Sequence, residues 1–514
     1  MTFLNKRLSL ILLTLTLAIA SCSTPSATEQ ASAQEDQAQP TEESEDTSAT
    51  ESDGSQPPDV STQEPEFSYS GHGETLALVQ YVSEGSHRIL LLDPFGLGVR
   101  EFHLPEGIEP PRSMSSGLSP EGTYYAYYTG SPRNADLTLW VYDLNAEAVA
   151  IEIPLLSSDY PDNFQELADT FIASGNIPEV LTWVEPENIA TELQNAFEYG
   201  IESLAWSPFG RFLAFSGQME GPSSDLYLLD IETLEITRLT SGTGMIERIG
   251  WSYDGHWIRH TSIYFVGAGY RVTNHTASRD GADVVSFPID VGLGWGPWVT
   301  TNLYLAHEAD NGPGMYDLMV MDARYGNVRT IFDGAFYSYA LDPLSDTILL
   351  QSYHFFDDDP EEGLYLIQAT EPYTTTMLST EDLQRFEYIG LEDHPFIGTP
   401  WEQGTVLIRS DGSFEPLSDQ YLTWQPAPTA NLLALFSAQG NDGLWIYDED
   451  RDERIDVYSG AVDWVEWRPD SGALFYLIDD ELHVYNLDTG EHMLIYAWSD
   501  SPVNNTYMTW VTLP

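Results

Sequence analysis

The sequence predicts an all-β chain in which one four-stranded antiparallel unit recurs, the plan of a β-propeller. Three observations carry this expectation. Tryptophans keep a beat: Trp206, Trp251 and Trp295 follow one another at 44–45 residues, and Trp424, Trp467 and Trp510 at 43. A phrase of strand, Ser/Pro/Gly turn and strand recurs with them. Aromatic residues are plentiful (Trp 14, Tyr 29, Phe 21), which suits pleated, half-buried surfaces. A period of about 40–45 residues with short strands marks a propeller blade.

The first phrase reads GLSPEGTYYAYYTG from Gly117, LAWSPFGRFLAFSG from Leu204 and IGWSYDGHWIRHTS from Ile249. It returns as LGWGPWVTTNLYLAHEA from Leu293, YALDPLSDTILLQSY from Tyr339, LTWQPAPTANLLALFSA from Leu422 and VEWRPDSGALFYLID from Val465. A second phrase follows, as in DLYLLDIETLEITRLT at 225–240 and ELHVYNLDTGEHMLIY at 481–496: a third strand, an Asp/Asn-rich turn and a fourth strand. Pro with Gly or Asp closes the first hairpin. One blade cannot bury its apolar faces alone, so blades stack around an axis and Trp is expected to fill the seams.

Nine candidate units start near residues 67, 117, 204, 249, 293, 339, 386, 422 and 463. The segment 386–418 is short and lacks the Trp-Ser-Pro phrase, so it reads as an extension of the unit before it. The expectation is a single β-propeller of about eight four-stranded blades, with seven as the fallback. The tail YMTWVTLP at 507–514 is expected to pair into the first blade, closing the ring and leaving no free edge.

Two places break the pattern. In 156–200, Phe164, Leu167, Ala168, Phe171 and Ile172 fall at helical spacing, as do Ile189, Leu193, Ala196 and Phe197. The expectation is a helical insertion between blades 2 and 3, with Trp183 and Phe197 in a small core of its own. The other break is HFFDDDPEEG at 354–363, an acidic hairpin loop. Because strands alternate in direction, both breaks emerge on one end of the disc. Variable loops on a rigid scaffold are where binding usually resides, so this end is the expected binding face.

These phrases resemble the TolB-type, WD40-like β-propeller repeat, with its W-S-P-D-G turn followed by x-D-L-Y-x-x-D. WSYDG at 251–255 and WSPFG at 206–210 come nearest to the full turn. The resemblance implies the fold over nearly all of 67–514. It implies no single activity, since the repeat serves binding proteins, secretion partners and peptidase gating domains alike.

The N-terminus reads as an address and a tether. Lys6 and Arg7 form a basic region, and Leu8 to Ile19 an apolar one that is short for a bilayer span. The chain's one cysteine, Cys22, follows small residues at once, so no intrachain disulfide can form. Ile19-Ala20-Ser21-Cys22 resembles the lipobox of bacterial lipoproteins, which implies cleavage before Cys22 and acyl chains on it. Residues 1–21 are then a signal peptide, 22–66 a disordered acidic tether and 67–514 the propeller. The tether carries twelve carboxylates and no Lys or Arg over 23–66. Acyl chains supply membrane affinity at about 0.8 kcal/mol per buried CH₂. The implied location is extracytoplasmic and lipid-anchored: the outer membrane in a Gram-negative host, otherwise the outer face of the cytoplasmic membrane.

Charge narrows the partners. Asp+Glu number 81 against 19 Lys+Arg, a formal net charge of -62, and Lys6 is the only lysine. Such a surface repels phosphate backbones, which excludes nucleic acid, and gives no basic patch for anionic lipid. No Gly-x-Ser-x-Gly elbow and no His-Glu-x-x-His occurs. SYDGHW at 252–257 superficially matches a sialidase Asp-box but lacks the residue between Asp and Gly, and reads as a blade turn. Asp357, Asp358, Asp359, Glu361 and Glu362 supply oxygen ligands of the kind Ca²⁺ takes, and read first as a solvated acidic loop. His260 and His275 read as surface or hairpin residues. No cofactor is expected otherwise, and no catalytic residue is assigned. The functional expectation is a non-enzymatic lipoprotein whose propeller binds an envelope protein or peptide. The alternatives are a carboxylate-dependent hydrolase, for example carbohydrate-active, with its site at the central channel, and a purely structural envelope repeat protein.

Overall fold

The computed structural model describes residues 73–513 apart from 84–85, 93–98, 104–107, 110–116, 132–135, 158–163, 175–185, 192–202, 221–223, 242–244, 267–268, 288–292, 310–314, 355–359, 401–403, 438–441 and 499–505. The signal peptide, the tether, Cys22 and Asp357 to Asp359 therefore lie outside the described residues.

Antiparallel meanders fill almost all of the rest. The first unit pairs β1 (Gly73–Ser83), β2 (Ser86–Leu92) and β3 (Val99–His103). The second holds β4 (Ile108–Glu109), β5 (Tyr124–Thr129), β6 (Thr138–Asp143) and β7 (Ala148–Pro154). The third holds β8 (Leu204–Trp206), β9 (Phe212–Gly217), β10 (Asp225–Asp230) and β11 (Glu235–Arg238). The fourth holds β12 (Met245–Trp251), β13 (Trp257–Val266), β14 (Gly269–Ser278) and β15 (Val284–Ser286).

A seven-stranded sheet follows. It contains β16 (Leu293–Trp298), β17 (Leu303–Ala309), β18 (Met315–Asp322), β19 (Val328–Asp342), β20 (Thr347–Ser352), β21 (Gly363–Gln368) and β22 (Thr375–Ser379). It is two units sharing the 15-residue β19, which is fourth strand of the fifth unit and first strand of the sixth. The seventh unit holds β23 (Leu383–Tyr388), β24 (Phe396–Pro400), β25 (Thr405–Ile408) and β26 (Phe414–Ser418). The eighth holds β27 (Thr423–Pro426), β28 (Leu432–Phe436), β29 (Leu444–Asp448) and β30 (Glu453–Tyr458). The ninth holds β31 (Trp464–Trp467), β32 (Ala473–Ile478), β33 (Glu481–Asn486) and β34 (His492–Ala497). Last, β35 (Thr506–Leu513) returns to pair with β1, from Gly73↔Leu513 to Gln80↔Thr506. This is the pairing expected of the tail.

The strands fall into eight hydrogen-bonded sheets, and the seven-stranded one spans two of the nine meanders traced above, where about eight blades were expected. The segment 386–418 is no extension of its predecessor but a separate four-stranded sheet. It lacks the Trp-Ser-Pro phrase because its hairpin is closed by other residues, with the backbone N–H of Ile389 donating to the Pro395 carbonyl at 2.8 Å.

Each core cluster joins one unit to the next, because alternate residues of a strand point to opposite faces. Leu474 and Tyr476 pack against the eighth unit with Ile446 and Leu444. Their neighbours Ala473, Phe475 and Leu477 pack the other way, against Leu76, Leu90 and Leu92 of the first unit. The remaining clusters bridge each intervening pair in order. The clusters thus lead from each unit to the next and from the ninth back to the first. First strands of successive units touch, as β8 with β12, β19 with β23 and β27 with β31, so this edge faces the axis.

The recurring phrase now has a physical reason. In the turns at Ser119, Ser207 and Ser252 the serine Oγ accepts the N–H of the residue that opens the next strand (Tyr124, Phe212, Trp257) at 2.9–3.0 Å. The glycine three residues on, Gly122, Gly210 or Gly255, adopts positive φ and donates back to the serine carbonyl. At Gly210 a Cβ would also collide with the Glu121 carboxylate. The tryptophans tie the seams as expected. Trp206, Trp251 and Trp467 donate their indole N–H to the carbonyls of Gly117, Ala205 and Gln425 in the preceding unit, at 3.0, 2.9 and 2.8 Å.

The segment between the second and third units carries a helix, Phe164–Ser174, and a 3₁₀ turn, Pro186–Asn188. Ala168 and Ile189 are buried, whereas Ile172 is exposed. Trp183, Leu193, Ala196 and Phe197 lie outside the described residues.

Candidate ligand pocket in the fourth unit

Most units fill both faces of their middle strands with apolar side chains: β9 reads FLAFSG and β10 reads DLYLLD. The fourth unit departs from this. Its middle strands, WIRHTSIYFV and GYRVTNHTAS, bury His260, Thr261, Ser262, Thr273, Asn274, His275 and Thr276. Polar side chains on both faces of a sheet packed on both sides need partners, and the two faces solve this differently.

On the face toward the fifth unit, the buried Asn274 Oδ1 accepts from Trp295 Nε1 at 2.8 Å and Thr261 Oγ1 at 3.2 Å. Trp295 is thus diverted from the backbone carbonyl its repeat mates use. The Arg259 guanidinium lies 5.0–5.8 Å from the ring centres of Trp295, Trp298 and Tyr304, and its Nη1 donates to the Gly296 carbonyl. Burial lowers the Arg259 pKa, and the ring faces offer the cation a partial substitute for water.

On the face toward the third unit lies a cavity of about 300 Å³. His260 and His275 are directly opposed in the β13–β14 register and stack at 5.2 Å between centroids, 13° from parallel. Ser286, opposed to His275 on β15, is hydrogen-bonded to its Nδ1 at 2.9 Å. Ser262 lines the cavity two residues from His260. Across the gap stand Ser224, Asp225 and Thr240 of the third unit, with Leu239, Ile246 and Val284 as apolar wall. Burial and the neighbouring His275 hold His260 down at about 3, and burial holds His275 at about 4, so both rings are neutral at pH 7. The Asp225 carboxylate, 3 % exposed, is neutralised by Arg238 at 2.6 Å. Arg238 also pairs with Glu220 and donates to the Thr240 carbonyl.

His260 is 1 % exposed and its Nδ1 makes no hydrogen bond among the described residues. A backbone interaction with Ile258 favours the protonated ring but does not offset burial and the neighbouring His275.

Of the expectation that His260 and His275 are surface or hairpin residues, the surface part is overturned: both lie on the paired arms of the β13–β14 hairpin, but buried in the core. The signal was present in the sequence as His, Thr, Ser and Asn at positions where sister strands are apolar. The Ser286–His275 pair has the outline of a nucleophile and base, but an imidazole near 4 is a poor base at neutral pH. Of the acidic loop, Glu361 and Glu362 are exposed, and no group of three metal-ligating side chains is found among the described residues.

No known protein family matches this sequence, and no curated protein matches it. Among solved structures the chain is similar to a eukaryotic initiation factor, at 13% identity over 86% of this chain and 99% of that one, with a TM-score of 0.49. It is similar to TolB from Acinetobacter baumannii at 13% identity over 59% and 63% of the two chains, with a TM-score of 0.29. It is also similar to the β-propeller domain of the Trilobed protease from Pyrococcus furiosus, at 12% identity over 83% and 99%, with a TM-score of 0.31. At these identities each likeness concerns fold only, and the ring described above rests on this chain's own seams.

Proposed function

We propose that the chain is a lipid-anchored, extracytoplasmic protein whose nine units form one β-propeller that binds a protein or peptide partner. The anchor is the lipid on Cys22, and the tether 22–66 holds the ring clear of the membrane. The observation that carries the binding reading is a set of exposed apolar side chains at one end of four consecutive units. They are Phe209 and Leu234 of the third, Tyr253 of the fourth, Tyr325 of the fifth and Leu344 of the sixth, between 44% and 86% exposed. All five sit in turns joining strands one and two or three and four, so they share one end of the disc. Clustered exposed apolar groups on a rigid scaffold mark interaction surfaces. This end is opposite to the one bearing 156–200 and 354–363. The net charge favours a partner with a basic surface.

The hydrolytic alternative needs a pair of carboxylates held for acid and base work. Among the described first-strand residues, burial lifts Glu466 to about 7, the state a general acid requires, and Glu247 and Glu387 lie on other first strands. The test is capture from the native envelope by the full chain and by a variant carrying Phe209→Ser, Tyr253→Ser, Tyr325→Ser and Leu344→Ser. Loss of a specific partner in the folded variant supports the reading. Unchanged capture would move the binding face elsewhere.

A further inference from the structure

We propose that the cavity between the third and fourth units is a binding site for a neutral, monosaccharide-sized polyol. The site's charge is closed: Asp225 is already paired with Arg238, and among the described residues no other charged side chain lines the cavity. An anionic ligand would meet the chain's overall negative field, and a cation would meet a carboxylate already neutralised.

What the walls offer is hydroxyls and imidazoles. Ser224, Thr240, Ser262 and Ser286 each combine a donor with acceptor lone pairs, and a neutral imidazole carries one donor and one acceptor nitrogen. A polyol hydroxyl has the same dual character. Burial keeps both rings neutral, which preserves that match. The volume, about 300 Å³, falls at the lower end of the range for small-molecule sites, roughly 300–1,000 Å³. The apolar strip of Leu239, Ile246 and Val284 faces these polar groups, which suits a molecule with hydroxyl edges and C–H faces.

The second observation is the orphaned His260 Nδ1. A buried polar atom left without a partner costs free energy, about 1–3 kcal/mol, that a ligand hydroxyl would recover. The neighbouring polar groups of the cavity have mostly found protein partners: Ser224 Oγ accepts from the Ile246 N–H, Thr240 Oγ1 bonds Asp225, and Ser286 bonds His275. His260, which also lines the cavity, has no hydrogen bond at Nδ1 among the described residues.

The experiment follows the imidazole signals of the full chain, labelled at histidine, by NMR during titration with D-glucose, D-galactose, D-mannose and N-acetyl-D-glucosamine. These four sugars define the class tested. The expected result is that at least one shifts the His260 and His275 resonances together and leaves His394 and His483, in the seventh and ninth units, unmoved. His260→Phe replaces an unsatisfied polar ring by an apolar one, so the protein stays folded while affinity falls by about tenfold or more. Ser262→Leu fills the cavity from another side and is expected to abolish the shifts. The proposal is overturned if none of the four sugars moves either ring, or if the shifts persist in both variants. A response of both rings to Zn²⁺ alone would replace it with a metal site.

Discussion

Trp467→Phe tests whether the tryptophan beat in the sequence is the fastening of the ring. Trp467 is fully buried and donates to the Gln425 carbonyl of the preceding unit at 2.8 Å. Phe keeps an aromatic ring but removes the donor and leaves the carbonyl in a dry seam. A net hydrogen bond contributes about 1 kcal/mol, and stranding a buried acceptor raises the loss to about 1–3 kcal/mol. The smaller ring leaves a void among Val465, Leu474 and Ala434, adding about 1–2 kcal/mol. The expected total is about 2–4 kcal/mol, read as a lowered urea midpoint. Trp251→Phe is the internal control. Trp251 makes the same bond, to the Ala205 carbonyl at 2.9 Å, but is only partly buried. Its loss should stay near about 1 kcal/mol because water can reach the vacated carbonyl. Equal losses at the two positions, or a loss below about 0.5 kcal/mol at Trp467, would refute the view that burial and the seam hydrogen bond act together.

Three further outcomes follow from charge and burial. Burial raises Glu466 from 4.5 to about 7, so the folded state holds its proton more tightly than the unfolded one. That contribution is complete below pH 4.5 and lost as pH rises through 7, and Glu466→Gln should remove this slope and stabilise the protein above pH 7 by up to about 3 kcal/mol in pH-resolved urea titrations. His260 has the opposite sign: its folded pKa of about 3 lies below 6.5, so stability is present above 6.5 and falls as pH drops toward 3, and His260→Phe should flatten part of that acid limb in thermal melts. Asp225→Ala leaves Arg238, among the described residues, with the exposed Glu220 as its carboxylate partner beside the Thr240 carbonyl, and should cost about 2–3 kcal/mol by the same denaturation assay, against little change for Glu220→Ala.

The repeat was legible because its causes are local. A serine that caps its own turn and a glycine at positive φ leave a fixed spacing in the text, and the Trp that crosses the seam marks where each unit begins. The seventh unit was missed for the same reason. Its first strand, LQRFEY, holds no Trp to donate to the sixth unit, and the bond at its other seam, from Trp424 of the next unit, runs in the usual direction but to the Glu387 carboxylate, at 2.9 Å, in place of a backbone carbonyl. The shared strand β19 was equally invisible, because two units fused without a loop read like two units in sequence. The pocket depends on pairing across strands: His260, His275 and Ser286 are brought together by register, which single-strand patterns do not contain. Helical spacing did find the helix at Phe164–Ser174, since that periodicity belongs to one segment.

The fusion at β19 has a mechanical consequence. The chain stays extended across this junction: 328–336 pairs with β18, 336–342 pairs with β20, and the two ladders meet at Phe336. The fifth and sixth units are therefore coupled through the backbone itself as well as through the side chains of their shared seam.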